Sequence, residues 1–324
     1  MEKQPGTTQV NRILSMYDRL CNGTMLTKKS EADNFEVGEK TIQRDFESIR
    51  TFFELSKTNQ YLKYDPQKKA YRLVVNSETY LLKEEILAII KILIESRAFP
   101  KVEMERVLEK LTNISQPTDR EIIKKVTLNE KHLYVDLQHK QSLFTSLWEI
   151  AQAIHTKRLI SINYKRELDQ KDNIRTLEPV GLVFSEYYFY LAAYQTKRKH
   201  DFPTIYRLDR ISSYQIMDKH FESPYKDRFQ EGELRKRIQF MQAGELMTIK
   251  FRFNGPSTQA VQDRLPTAEI LSRTDNGIVF SAEVYGNGIK MWLLSQGMDL
   301  EVLEPKELRE EMKSIVKQMI EQYC

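Results

Sequence analysis

Apolar residues recur at helical spacing through the first fifty positions. Val10, Ile13, Leu14, Tyr17 and Leu20 form one stripe, and Ile42, Phe46, Ile49 and Phe53 form another. Between them Thr27 is placed to cap a short helix through about Phe35, and Gly38 opens the third helix. The pattern then changes: "YLKY" and "AYRL" flank "DPQKK", a hairpin with Pro66 in the second position of its turn and Lys68 and Lys69 at the tip.

Residues 80–156 read as helical throughout. Leu82, Ile86, Ile89, Ile90 and Leu93 lead to a break at Pro100, then "VEMERVLEKL", a loop around "SQPTD" (115–119), and a stripe of Leu143, Leu147, Ile150, Ala151 and Ile154. Short, closely spaced strands follow: "LISINY" (159–164), "TLEPVGLVFS" (176–185), "YYFYLAAY" (187–194), "TIYRLDRI" (204–211) and "YQIM" (214–217). That density suits a small β-barrel. From Glu245 the order is strand, helix, a hairpin across Asn276-Gly277, helix and strand, a βαββαβ ferredoxin-like order, with a final helix from about Lys306 to Tyr323.

The expected fold class is therefore α+β in four parts. Residues 1–76 supply three helices and a two-stranded wing, the components of a winged helix-turn-helix, in which the third helix enters a DNA groove. Residues 77–139 form a helical connector, 140–228 a β-barrel, and 244–324 a ferredoxin-like α+β module.

A chain of 324 residues, 40% hydrophobic and 30% charged, has a soluble globular composition and enough length for several cores. The start lacks the apolar core of a signal peptide and no apolar run is long enough to span a bilayer, so a cytoplasmic protein with no membrane partner is expected. Two cysteines, Cys21 and Cys324, are too few for a disulfide framework. Net charge is +4, but residues 1–75 carry +3 (13 basic, 10 acidic) and residues 157–228 carry +4 (14 basic, 10 acidic). The surplus is thus confined to the two segments where nucleic-acid contact is plausible, although plain solvated surfaces reach the same values.

In "GEKTIQRDFESIR" (38–50) the polar face offers Lys40 and Gln43 to base edges, Arg44 and Thr41 to phosphates, and the hairpin tip adds Lys68 and Lys69. Glu36, Glu39, Asp45 and Glu47 dilute the local field, which predicts salt-sensitive binding that needs two copies of the head. The bland alternative is a core-packing helix whose polar side meets water. In the barrel, "YYFYLAAY" puts Tyr188, Tyr190 and Tyr194 on one face, and "QTKRKHDFP" is a basic loop. Tyr164, Tyr190, Arg198, Arg207 and Arg210 together make a candidate site for an anion or a single-stranded nucleic acid. The competing reading pairs Arg207 with Asp209. Arg207 and Arg210 are three apart and face opposite sides of a regular strand, so they share a pocket only if a bulge or strand end intervenes.

No catalytic constellation stands out. The histidines, His132, His139, His155, His200 and His220, lack metal-ligand spacing, His200 reads as solvated, and "GNGIKM" (286–291) has Met291 where a dinucleotide fingerprint needs glycine. No enzyme activity, cofactor or metal is expected.

"TIQRD" after "EVGEK" resembles the core of DeoR-like winged helix domains, with Gly38 where a serine cap is common. "EPVGLVFSEYYFYLAAY" followed by "TIYRLDRI" resembles the WYL domain, Phe189-Tyr190-Leu191 standing for Trp-Tyr-Leu, and "VYGNGIKMWLLSQG" is similar to the extension that follows such domains. The resemblance implies a homodimeric transcriptional regulator that holds a double-stranded DNA operator. Its Sm-like or SH3-like barrel would sense a single-stranded nucleic acid or a small anionic effector, with Tyr164, Tyr190, Arg198, Arg207 and Arg210 at the sensing positions. The alternative is an RNA- or single-stranded-DNA-binding accessory protein whose barrel is the main binding surface.

Overall fold

The computed structural model describes residues 8–56, 60–75, 81–165, 173–196, 202–222, 229–242 and 244–324. It mixes helices with antiparallel sheets, and the chain divides into two compact units, 1–136 and 137–324. No helix among the described residues is long and apolar enough to cross a membrane.

The first unit begins with α1 (Gln9–Cys21), β1 (Leu26–Thr27), α2 (Lys28–Phe35), α3 (Glu39–Leu55), β2 (Gln60–Asp65) and β3 (Ala70–Val75). The Thr27 hydroxyl accepts the Ser30 N–H at 3.0 Å, which starts α2. Gly38 caps α3 without a side-chain bond. The α3 stripe and part of the α1 stripe meet in one core, where Leu20 and Met16, the latter outside the stripe read from sequence, pack with Ile42, Phe46, Ile49 and Phe53 of α3, while Val10 and Leu14 stay exposed. The hairpin is antiparallel, Leu62 opposite Leu73, and β1 adds a short third strand beside β3.

One ion pair is sealed into this core, and a second, through a part-exposed Arg19, lies at its edge. Arg12 bonds Asp45 through both Nε and Nη2, the latter at 3.2 Å, with Arg12 6% and Asp45 0% exposed. Arg19 grips buried Glu31 in the same two-pronged way. Asp45 therefore does not dilute the field of the polar face as the helical wheel suggests; it points inward and its charge is matched by α1.

Helices α4 (Lys83–Ser96), α5 (Lys101–Ile114) and α6 (Pro117–His132) complete the unit. "SQPTD" is not a loop in full: Pro117 begins α6, where its missing N–H costs nothing. Residues 133–143 are not helical, so the helical reading of 80–156 is interrupted there.

The second unit runs through α7 (Phe144–His155), β4 (Arg158–Tyr164), β5 (Asn173–Ser185), β6 (Tyr188–Gln195), β7 (Thr204–Arg207), a 3₁₀ turn (Leu208–Arg210) and β8 (Ile211–His220). These five strands form a sheet in the order β7-β6-β5-β4-β8, and its core holds Ile150 and Ala153 of α7 against Ile160, Leu177, Leu191 and Tyr206. "TIYRLDRI" is thus not one strand; it stops at Arg207.

Helix α8 (Glu231–Arg237) was not anticipated by any periodicity. Its Leu234, with Ile238 beyond it, packs on Val183 of the sheet. Then come β9 (Leu246–Phe253), α9 (Thr258–Arg264), β10 (Glu269–Thr274), β11 (Gly277–Tyr285), α10 (Gly288–Ser295), β12 (Leu300–Glu304) and α11 (Lys306–Glu321), with the antiparallel order β10-β11-β9-β12. A Cβ at Gly288 would sit 1.9 Å from the Gln239 carbonyl oxygen, so the second glycine of "GNGIKM" serves close packing against 238–242.

Replacing Asp45 by Ala leaves the Arg12 guanidinium buried without its partner, and the first unit is expected to lose about 3–5 kcal/mol of stability. Urea denaturation followed by circular dichroism checks this; an unchanged midpoint would show that the pair carries no structural weight.

Candidate functional site

Residues proposed to contact DNA lie on α3 and at the hairpin tip. Burial of Ile42, Asp45, Phe46 and Ile49 turns Lys40 and Arg44 outward, both exposed, with Thr41 and Gln43 half-buried at the edge of that face. Gln43 has partners of its own. Its Oε1 accepts the Tyr71 hydroxyl at 3.2 Å and its Nε2 donates to Glu47 at 2.9 Å, while the Tyr71 ring stacks on Phe46 at 4.0 Å. Tyr71 ties α3 to the hairpin, while the Glu47 bond stays within α3; Tyr71 was not singled out from sequence. At the tip, Asp65 Oδ1 accepts the N–H groups of Gln67 and Lys68 at 3.0 and 3.2 Å, which holds Lys68 and Lys69 at an exposed turn.

In the second unit the sheet register does the positioning. Tyr190 of β6 lies directly opposite Arg207 of β7, so their side chains share a face with Tyr188, two residues before Tyr190. The Arg207 guanidinium sits 3.4 Å from the centre of the Tyr188 ring, and the Tyr188 and Tyr190 rings meet edge to face at 6.4 Å. Phe189, between them, instead meets Phe184 at 5.0 Å. Tyr188 and Tyr190, two members of the row expected from alternation, thus meet on this face.

Arg207 also carries a partner of its own. Its Nε and Nη2 donate to the two oxygens of Asp209 at 3.1 and 2.7 Å, the pairing weighed as the competing reading, and Asp209 is only 8% exposed. Burial works against the guanidinium's charge, but these bonds and the Asp209 carboxylate outweigh it and raise its pKa. Tyr164 joins from β4: its hydroxyl accepts the Arg207 N–H at 3.3 Å.

Of the five predicted sensing residues, Tyr164, Tyr190 and Arg207 are brought together. Arg210 closes the 3₁₀ turn, and its carbonyl accepts the Lys165 N–H at 3.0 Å. The strand end that the spacing of Arg207 and Arg210 required is present, but it puts the two arginines on either end of a turn. Arg198 and His200 lie outside the described residues. Tyr188, Asp209 and Arg175, the last stacked 5.7 Å over Tyr164 and 5.6 Å over Tyr206, are the neighbours that sequence reasoning did not place in the site. The "R-L-D" spacing was the one visible hint for Asp209. Among the described residues no cluster of His, Cys, Asp or Glu could hold a metal.

Burial, opposed in part by the charge of Arg207, pushes the Tyr190 phenol up to about 12. Burial and the 2.6 Å bond to Glu149 push Tyr214 up to about 12 as well.

Residues 146–216 match the family model of the WYL domain and residues 245–320 that of the WCX domain. Comparison with curated proteins gives no match. Among solved structures, proteasome accessory factor B/C of Arthrobacter aurescens is 15% identical, covering 93% of this chain and 45% of that one with a TM-score of 0.29. A structure described as a CRISPR Cas-related protein is 17% identical over 76% of this chain and 74% of that one, with a TM-score of 0.40. The chain thus spans less than half the length of the first of these relatives.

Because the folded state holds the two phenols neutral to about 12 against an ordinary value of about 10, their contribution to stability is complete below pH about 10 and is lost as pH rises toward 12. A spectrophotometric titration should show a late-ionising fraction that shrinks in Tyr190→Phe, with a smaller loss of stability across that window. An identical curve in the variant would remove Tyr190 from the buried cluster.

Proposed function

We propose that this protein is a DNA-binding transcriptional regulator in which the WYL segment senses a nucleic-acid or other anionic effector and the amino-terminal head holds a double-stranded operator. The observation that carries the reading is the coincidence of the WYL match, 146–216, with the cluster of Arg207, Tyr188, Tyr190 and Tyr164. A guanidinium with unspent N–H groups over an aromatic face is suited to a phosphate beside a stacked base.

Several features support the finer assignments. Helices α1 to α3 followed by a basic-tipped hairpin read as a winged helix-turn-helix of the DeoR-like kind, with Lys40, Thr41, Gln43 and Arg44 on the helix and Lys68 and Lys69 on the wing. A five-stranded sheet whose edge strands β7 and β8 are joined by a three-residue turn reads as a small Sm-like or SH3-like barrel. The βαββαβ order with sheet order β10-β11-β9-β12 reads as ferredoxin-like. Two heads in a homodimer would read two half-sites, and an effector alters operator binding only if it favours one arrangement of them. The role is one of binding, without catalysis.

A second reading is supported by the bonds that occupy Gln43: a head that reads no bases, with the barrel as the main surface of an RNA- or single-strand-binding accessory protein. Anisotropy titrations of duplex and single-stranded DNA against salt separate the two. Arg44→Ala is expected to weaken duplex binding about tenfold and to flatten its salt slope while single-strand binding persists. Unchanged duplex affinity, with intact single-strand binding, would favour the accessory reading.

A further inference from the structure

A residue that precedes the WYL match also reaches the Arg207 cluster. Residues 133–143 link α6 to α7; Leu137 and Leu143, on either side of His139, are buried, and Leu143 joins the core of the second unit. The His139 ring lies 6.3 Å from the Tyr188 ring, tilted by 46°. Tyr188 is the ring on which Arg207 is stacked.

The polarity of this imidazole is set by one bond. Its Nδ1 accepts the Gln141 N–H at 3.0 Å, which puts the ring hydrogen of the neutral form on Nε2. That Nε2–H has no described partner although the residue is half-buried. Burial lowers the His139 pKa; the Arg207 charge acts in the same sense and the Asp209 carboxylate against it. The charged and titratable groups packed around it are thus Tyr188 from β6, Arg207 from β7 and Asp209 from the 3₁₀ turn.

We propose that His139 is a second effector-contacting residue, donating Nε2–H to a phosphodiester oxygen held by Arg207 and gaining charge when that anion is bound, so that effector affinity rises as pH falls. The inference rests on the effector-site reading above. Asp209 already occupies two N–H groups of Arg207, so an incoming phosphate needs a further donor that does not share that carboxylate. A histidine that is neutral in the free protein and cationic beside a phosphate supplies it without adding charge when the site is empty.

The test uses the full chain and a fluorescent oligodeoxythymidine without terminal phosphates, whose charge is constant between pH 6 and 8. Wild-type affinity is expected to rise about tenfold from pH 8 to pH 6. His139→Gln, which keeps a donor, should bind much as the wild type does at pH 8 and show no pH dependence. His139→Ala should bind more weakly at both. A wild-type pH dependence retained in His139→Gln, or wild-type affinity in both variants, overturns the inference. Arg207→Gln separates the two levels. If it abolishes binding while the His139 variants behave as wild type, the effector site stands and this assignment falls; if it binds like the wild type, both fall.

Discussion

Strands β7 and β8 are neighbours in the chain but opposite edges of their sheet, and three residues join them. Four strand spacings laid flat would separate the edges by about 19 Å, whereas a short 3₁₀ connection advances about 2 Å per residue. The sheet must therefore curl until its edges approach. Tyr164, paired with Ile211 of β8, accordingly reaches across to accept the main-chain N–H of Arg207 on β7, and Lys165 bonds the Arg210 carbonyl. Several features of the second unit's candidate site follow from this turn. It stops β7 at Arg207, brings Asp209 under the guanidinium, and leaves the outward face to Tyr188 and Tyr190.

Among the described residues, three nearly or fully buried carboxylates are each matched by an arginine. Arg207 is bound by Asp209, Arg12 by Asp45 and Arg19 by Glu31, and each carboxylate is nearly or fully buried. On the proposed reading, a site built this way would attract an anion weakly from a distance and select it on contact, through unspent guanidinium N–H groups and aromatic faces. The head obeys the same logic. Its buried Arg12–Asp45 pair anchors α3 against α1, and the Tyr71–Gln43 bond anchors α3 to the hairpin, so the exposed Lys40 and Arg44 stand on a helix held from two sides. Preorganisation of that kind lowers the ordering cost of any partner that docks there.

Local patterns were legible in the sequence because they need only neighbouring residues. The stripe of α3, the Thr27 cap, the Pro66 turn, the pairing of tyrosines two apart on β6 and the βαββαβ order of the last module depend on helical or strand period and on turn chemistry, which the chain carries within a few positions. What tertiary structure alone decided were the long-range partners. Asp45 looks like a surface acid until Arg12, thirty-three residues earlier, is seen beside it. Gln43 shows no partner along the helix beyond Glu47 until Tyr71, on the hairpin, is seen bonding its carbonyl oxygen. His139, unremarked among five histidines, meets Tyr188 only because the segment before α7 is packed on the sheet. Periodicity tells which side of an element is wet or dry; it does not tell which distant group waits on that side, since closure of the chain, not its local chemistry, chooses the neighbour.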